Sequence, residues 1–140
     1  MITANLLEDY RFLPIEISDL DQDINALKRE LNENDMSGAQ KAEYEAAITE
    51  LIGSLKTRRK KCIAQLEALQ KFMNGIEDPF TKWLFRLRYE SGKTWRQMYF
   101  ICVDKGYYYE ECSLRMICRR YLKRYNKNEQ KQSKREAAAV

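Results

Sequence analysis

Arg115, Arg119 and Lys123 follow one another at steps of four, so on a helix they form one row of cations. A guanidinium in such a row can bond bidentately to guanine O6 and N7, and a neighbouring cation can take a phosphate. On this reading Arg115 meets a base edge, Arg119 and Lys123 meet phosphates, and Ser113 and Met116 face the same groove. Lys93, Thr94 and Arg96 stand at another helix start, where backbone N–H groups and the helix dipole hold an anion. Thr94 is equally a plain N-cap there, and a row of bases with no ligand is a solvated face.

Other chemistries have little to work with. The 140 residues contain no His, which removes the commonest metal ligand and the commonest general base near neutral pH. No Gly-rich phosphate loop or nucleophile beside a base is present, so no enzyme, metal or cofactor is expected. Cys62, Cys102, Cys112 and Cys118 form no C-x-x-C pair and read as thiols of a reducing cytoplasm. No apolar run reaches the roughly 20 residues that cross a bilayer. The opening MITANLLEDYRFLPIEI is too polar for a signal peptide, so a cytoplasmic chain is expected, with no membrane partner.

The elements that must position the basic row are helices, since Gly 5 and Pro 2 leave few breakers. Leu13, Ile17, Leu20, Ile24, Leu27 and Leu31 alternate steps of four and three, a heptad seam. NENDMSGAQ then reverses the chain. A second stripe runs Tyr44, Ile48, Leu51, Leu55, Cys62, Leu66, Leu69 and Met73, which predicts a helix over 39–74 stopped by Asn74-Gly75. The basic run Lys56, Arg58, Arg59, Lys60, Lys61 lies mid-helix, as a solvated face or a contact for phosphate or an acidic helix. Residues 1–75 are therefore expected to form an antiparallel coiled-coil hairpin. Its stripes are too narrow for stability alone, which implies docking or a homodimer through the hairpin.

Residues 76–125 read as three short helices. Asp78-Pro79 starts the first, with Phe80, Trp83, Leu84 and Leu87 inward, and Ser91-Gly92 ends it. Thr94 caps the second, which buries Trp95, Met98, Ile101 and Cys102 and closes at Gly106. The third, 110–124, buries Leu114, Ile117, Cys118, Tyr121 and Leu122. That is the pattern of a helix-turn-helix, with a basic helix after the turn. Trp83 and Trp95 are expected in the core, and Tyr107, Tyr108 and Tyr109 as a turn packed over it. Residues 126–140, NKNEQKQSKREAAAV, read as a flexible basic tail.

Charge is polarised as well. Residues 1–40 carry −6 and residues 76–140 carry +7, so the carboxy-terminal half is the one suited to a polyanion.

The strings LFRLRYESGKTWRQMYFI and YYYEECSLRMICRRYLKRY resemble the region-four helix-turn-helix of sigma factors. They are more closely similar to small phage and prophage transcriptional regulators of the ArpU/RinA kind. Leu87, Arg88, Tyr89, Gly92, Trp95, Arg120, Tyr121 and Leu122 carry the likeness, over about residues 76–125. Tyr99 and Phe100 depart from it, standing where such modules place a small residue. The turn DKGYYYEE is also longer than a tight repressor turn.

Together these observations predict an all-α protein that joins an N-terminal hairpin to a C-terminal helix-turn-helix. The resemblance implies a sequence-specific binder of duplex DNA, a phage or prophage transcriptional regulator working beside RNA polymerase. Two alternatives fit the same pattern. One is a phage-encoded protein-binding inhibitor, such as an anti-CRISPR, whose acidic first helix grips a host defence protein. The other is a small terminase subunit.

Overall fold

The computed structural model describes residues 1–139, and every regular element in that span is helical. The helices are α1 (Ala4–Asp9), α2 (Leu13–Glu33), α3 (Ala39–Asn74), α4 (Pro79–Phe85), α5 (Trp95–Asp104) and α6 (Glu111–Ala139). A π-helical turn, Arg86–Glu90, prolongs α4. The chain is all-α, as its periodicities require.

Two compact units divide it: residues 12–67, and residues 1–11 together with 68–140. The first is the hairpin. Its cross-links run Glu16 to Arg58, Asp21 to Arg59 and Glu30 to Tyr44, so low numbers on α2 meet high numbers on α3 and the two helices are antiparallel. Ile24, Ile48 and Ile52 are buried between them, with Leu27, Leu31, Tyr44 and Leu55 packed around. Of the heptad positions, Leu13, Leu20 and Ile24 are buried and the others half-buried. Leu51, expected on the seam, is 49% exposed, because Ile52 takes the inward position one residue further on.

The second unit is built around Phe72 of α3. Its ring lies edge-on to Phe85 at 5.4 Å, Tyr121 at 5.8 Å and Tyr125 at 4.8 Å. Leu69, Met73, Ile76, Leu84, Met98, Cys102, Leu114 and Cys118 complete the core. The N-terminal residues, which the sequence assigns to the hairpin, belong here instead. Leu7 is fully buried, and Asn126 holds the backbone of Ile2 by donating to its carbonyl at 2.7 Å and accepting its N–H at 3.0 Å. No heptad repeat covers residues 1–11, so their partner was not legible from spacing.

The local signals at the helix ends act as expected. The Asp78 carboxylate accepts from Thr81 N–H at 3.0 Å and Thr81 Oγ1 at 2.7 Å, with Pro79 at the first helical position. Those two hydrogen bonds hold its pKa below the usual value. At the end of α5, Gly106 takes φ +86° while its N–H reaches Val103 O at 2.9 Å and Tyr107 N–H reaches Cys102 O at 2.8 Å, a Schellman turn. The largest difference lies at the C-terminus. Where residues 126–140 read as a flexible tail, α6 continues without a break to Ala139.

Among the described residues no helix is long and apolar enough to cross a membrane, and no cluster of three or more His, Cys, Asp or Glu could hold a metal ion.

Candidate nucleic-acid interface

The entry of the chain into α5 is set by a cluster on the turn that precedes it. The i→i+5 bond from Ser91 N–H to Arg86 O widens the end of the first helix, and Gly92 at φ +68° turns the chain. Arg88 then reaches three partners. It donates to Lys93 O at 3.0 Å and to the Glu8 carboxylate at 2.7 Å, and its guanidinium lies 5.3 Å from the Trp95 ring centroid. Tyr89 is buried behind it, its pKa pushed up to about 12 by loss of water and by nearby Cys118 and Glu8. The Leu87–Trp95 part of the motif is thus the joint between the first helix and α5.

The expected site residues fall into three groups. Lys93, Thr94 and Arg96 stand at the start of α5. Thr94 closes a capping box there: Gln97 N–H donates to Thr94 Oγ1 at 3.1 Å, and Thr94 N–H donates to Gln97 Oε1 at 2.9 Å. Capping already occupies both Thr94 groups, and Arg96 is the exposed cation of that helix start.

Arg115 and Arg119 form the second group. They line a cleft of about 370 Å³ beside α1, with Glu8, Trp95 and Leu122. Arg115 is exposed, with its guanidinium 5.9 Å from the Trp95 ring centroid, on the side of α6 that faces α5. Trp95 is consequently half-buried between two guanidinium groups and not in the core.

Ser113, Met116 and Lys123 form the third group, on the outward side of α6. The buried face of this helix follows Leu114, Cys118, Tyr121 and Tyr125. Met116, Arg120, Lys123 and Lys127 repeat the same steps two residues later, a little over half a turn away. The row Arg115–Arg119–Lys123 therefore drifts from the α5 side toward the outside. Arg120, which the row omits, sits on the outer face itself. The signal that finds it is the position opposite the buried seam, not the four-residue step alone.

Charge on α6 is segregated by face. Its acids are Glu111, Glu129 and Glu136, which stand seven, eleven and eighteen residues from Cys118, or close to whole numbers of turns. All three share the inner azimuth, while the outer face holds bases and no acid. Among the described residues none of the nine bases of α6 forms an ion pair.

The turn before α6 carries a separate aromatic cluster. Phe80 meets Tyr109 at 5.2 Å and Tyr107 at 5.5 Å, and Trp83 meets Tyr107 at 6.1 Å, over an open cleft that also includes Lys105. Trp83 is half-buried at this rim instead of in the core, and Tyr108 is 82% exposed. Tyr99 packs edge-on against Phe100 at 5.2 Å, with Phe100 exposed, so these bulky residues are accommodated outside the helix packing.

Comparison of the chain with protein-family models, with curated proteins and with solved structures returns no match.

Proposed function

We propose that this protein binds duplex DNA through α6, as a transcriptional regulator of the phage and prophage kind that its helix-turn-helix motif resembles. The observation that carries this reading is the outer face of α6: exposed, basic, free of acids and, among the described residues, without an ion pair, on the helix that follows the turn. In this reading Ser113, Met116 and Arg120 lie nearest the base edges, Lys123 and Arg119 take phosphates, and Arg96 adds a contact from the start of α5. Arg115, stacked on Trp95, serves best as a rigid side wall. The hairpin supplies the dimer contact, which matches two half-sites to a two-fold axis.

Fluorescence anisotropy with random duplex DNA at two salt concentrations tests it. Affinity that falls steeply with salt supports the reading, because neutralised phosphates release counterions. Absence of binding at low salt overturns it. The second reading, a protein-binding inhibitor or adaptor, is favoured by the exposed rings of Phe100, Tyr107, Tyr108 and Tyr109, a composition suited to a protein interface. A small terminase subunit would separate from both by forming a ring larger than a dimer.

A further inference from the structure

We propose that the free end of α6, from Lys127 to Lys134, is a second phosphate-binding surface that carries the DNA contact beyond the groove. This rests on the DNA reading above and extends it to residues outside the helix-turn-helix.

The extension has a fixed root. Tyr125 is packed on Phe72, and the Asn126 amide is held by both backbone groups of Ile2, so these contacts with the bundle fix the direction in which the helix leaves. Beyond that point every described residue is exposed, and no apolar stripe gives the helix a protein surface to cover. Its sequence is nonetheless written for a helix, with Gln, Lys, Arg, Glu and Ala at most positions and Gln132 donating to Glu136 one turn on.

The phase of its charges is what identifies a ligand. Lys127, Lys131 and Lys134 continue the spacing of Met116, Arg120 and Lys123 in steps of four and three, so one basic face runs unbroken from the turn to the helix end. Glu129 and Glu136 stand on the opposite face, and neither pairs with a lysine. A solvated helix has no need of that separation, whereas a helix laid along a polyanion does. Lysine suits the task, since its ammonium is a point charge that accepts phosphate without reading a base.

Length places the contact. At about 1.5 Å per residue, Lys127 to Lys134 lie roughly 16 to 27 Å along the axis from Met116. The major groove is about 12 Å wide, so a helix entering it near Met116 has left it by Lys127 and crosses the flanking backbone.

The test uses the full chain carrying Lys127→Gln, Lys131→Gln and Lys134→Gln, changes that keep helix propensity, with circular dichroism as the folding control. On a duplex of about 30 base pairs the variant should bind roughly 10- to 100-fold more weakly near 0.1 M salt. Its slope of log affinity against log salt should be shallower by about 2 to 3, near 0.9 for each lost phosphate. The loss should be equal on all sequences, and on a duplex of about 10 base pairs wild type and variant should converge. Wild-type binding with an unchanged slope in the variant overturns this inference and leaves the DNA reading standing. No binding by wild type overturns both. Equal weakening for polyglutamate assigns the face to an acidic protein and overturns the inference too.

Discussion

The chain has two strongly basic stretches, and the structure treats them in opposite ways. On α3, Arg58 and Arg59 turn to α2 and bind Glu16 at 2.7 Å and Asp21 at 2.5 Å. These two guanidinium groups pair within the hairpin, on the flank of the seam formed by Ile24, Ile48 and Ile52. On α6 no base is met by an acid among the described residues, and the acids of that helix occupy the other face. Composition alone makes both runs equal candidates for phosphate. What separates them is whether the neighbouring helix supplies carboxylates at the same height.

The widest separation between the two units comes from Leu7→Ala. This residue is fully buried in the C-terminal unit, and its loss should cost about 2–5 kcal/mol there. Hydrogen exchange should show protection falling over α4 to α6 while α2 is unaffected; equal loss in both units would mean that they unfold as one.

Next in size, Arg120→Ala with Lys123→Ala should weaken duplex DNA binding by on the order of 100-fold at 0.1 M salt. Arg58→Ala with Arg59→Ala should leave it within about two-fold. Similar losses from both pairs would erase the distinction drawn between the two stretches.

Alkaline pH should also tell the units apart. Burial raises the Cys118 thiol from 9.0 and the Tyr89 phenol from 10.0, each to about 12, so folding holds both in the neutral form. That contribution is complete below pH 9 and is lost as pH rises toward 12, by about 2 kcal/mol or more. Urea midpoints followed at Trp83 and Trp95 fluorescence, both in the C-terminal unit, should fall across that window, and Tyr89→Phe should blunt the fall.

Thr94→Ala should cost about 1 kcal/mol in thermal unfolding through the lost cap, with DNA affinity nearly unchanged. A large affinity loss would instead give the hydroxyl a phosphate. The smallest effect expected is that of Arg59→Ala, under about 1 kcal/mol and vanishing at high salt, because the pair with Asp21 is close to half exposed.

Much of this architecture was legible in the residues. Asp78-Pro79, Thr94 with Gln97, Gly92 and Gly106 are punctuation read within a few residues, and each ends or starts a helix where its chemistry requires. The heptad over Leu13–Leu31 likewise needs only its own spacing. Contacts over long separations were not legible. Nothing near Arg88 announces that Glu8, 80 residues away, is its partner, and nothing near Asn126 announces Ile2. The continuation of α6 was obscured for a different reason: its polar residues lack an apolar period, so propensity was the only local signal. Nothing in the four-residue step announces that Arg115 has the Trp95 ring beside it.

The clamp between Asn126 and Ile2 also bears on how the protein is made. The two residues are 124 positions apart, so while the ribosome is still synthesising α6 Ile2 has no partner to dock on. The hairpin, whose contacts close over tens of residues, can form as soon as it emerges, whereas the C-terminal unit must await the synthesis of α6. The basic helix is therefore the element that completes its own bundle, and it is presented on a folded unit from the moment that bundle closes.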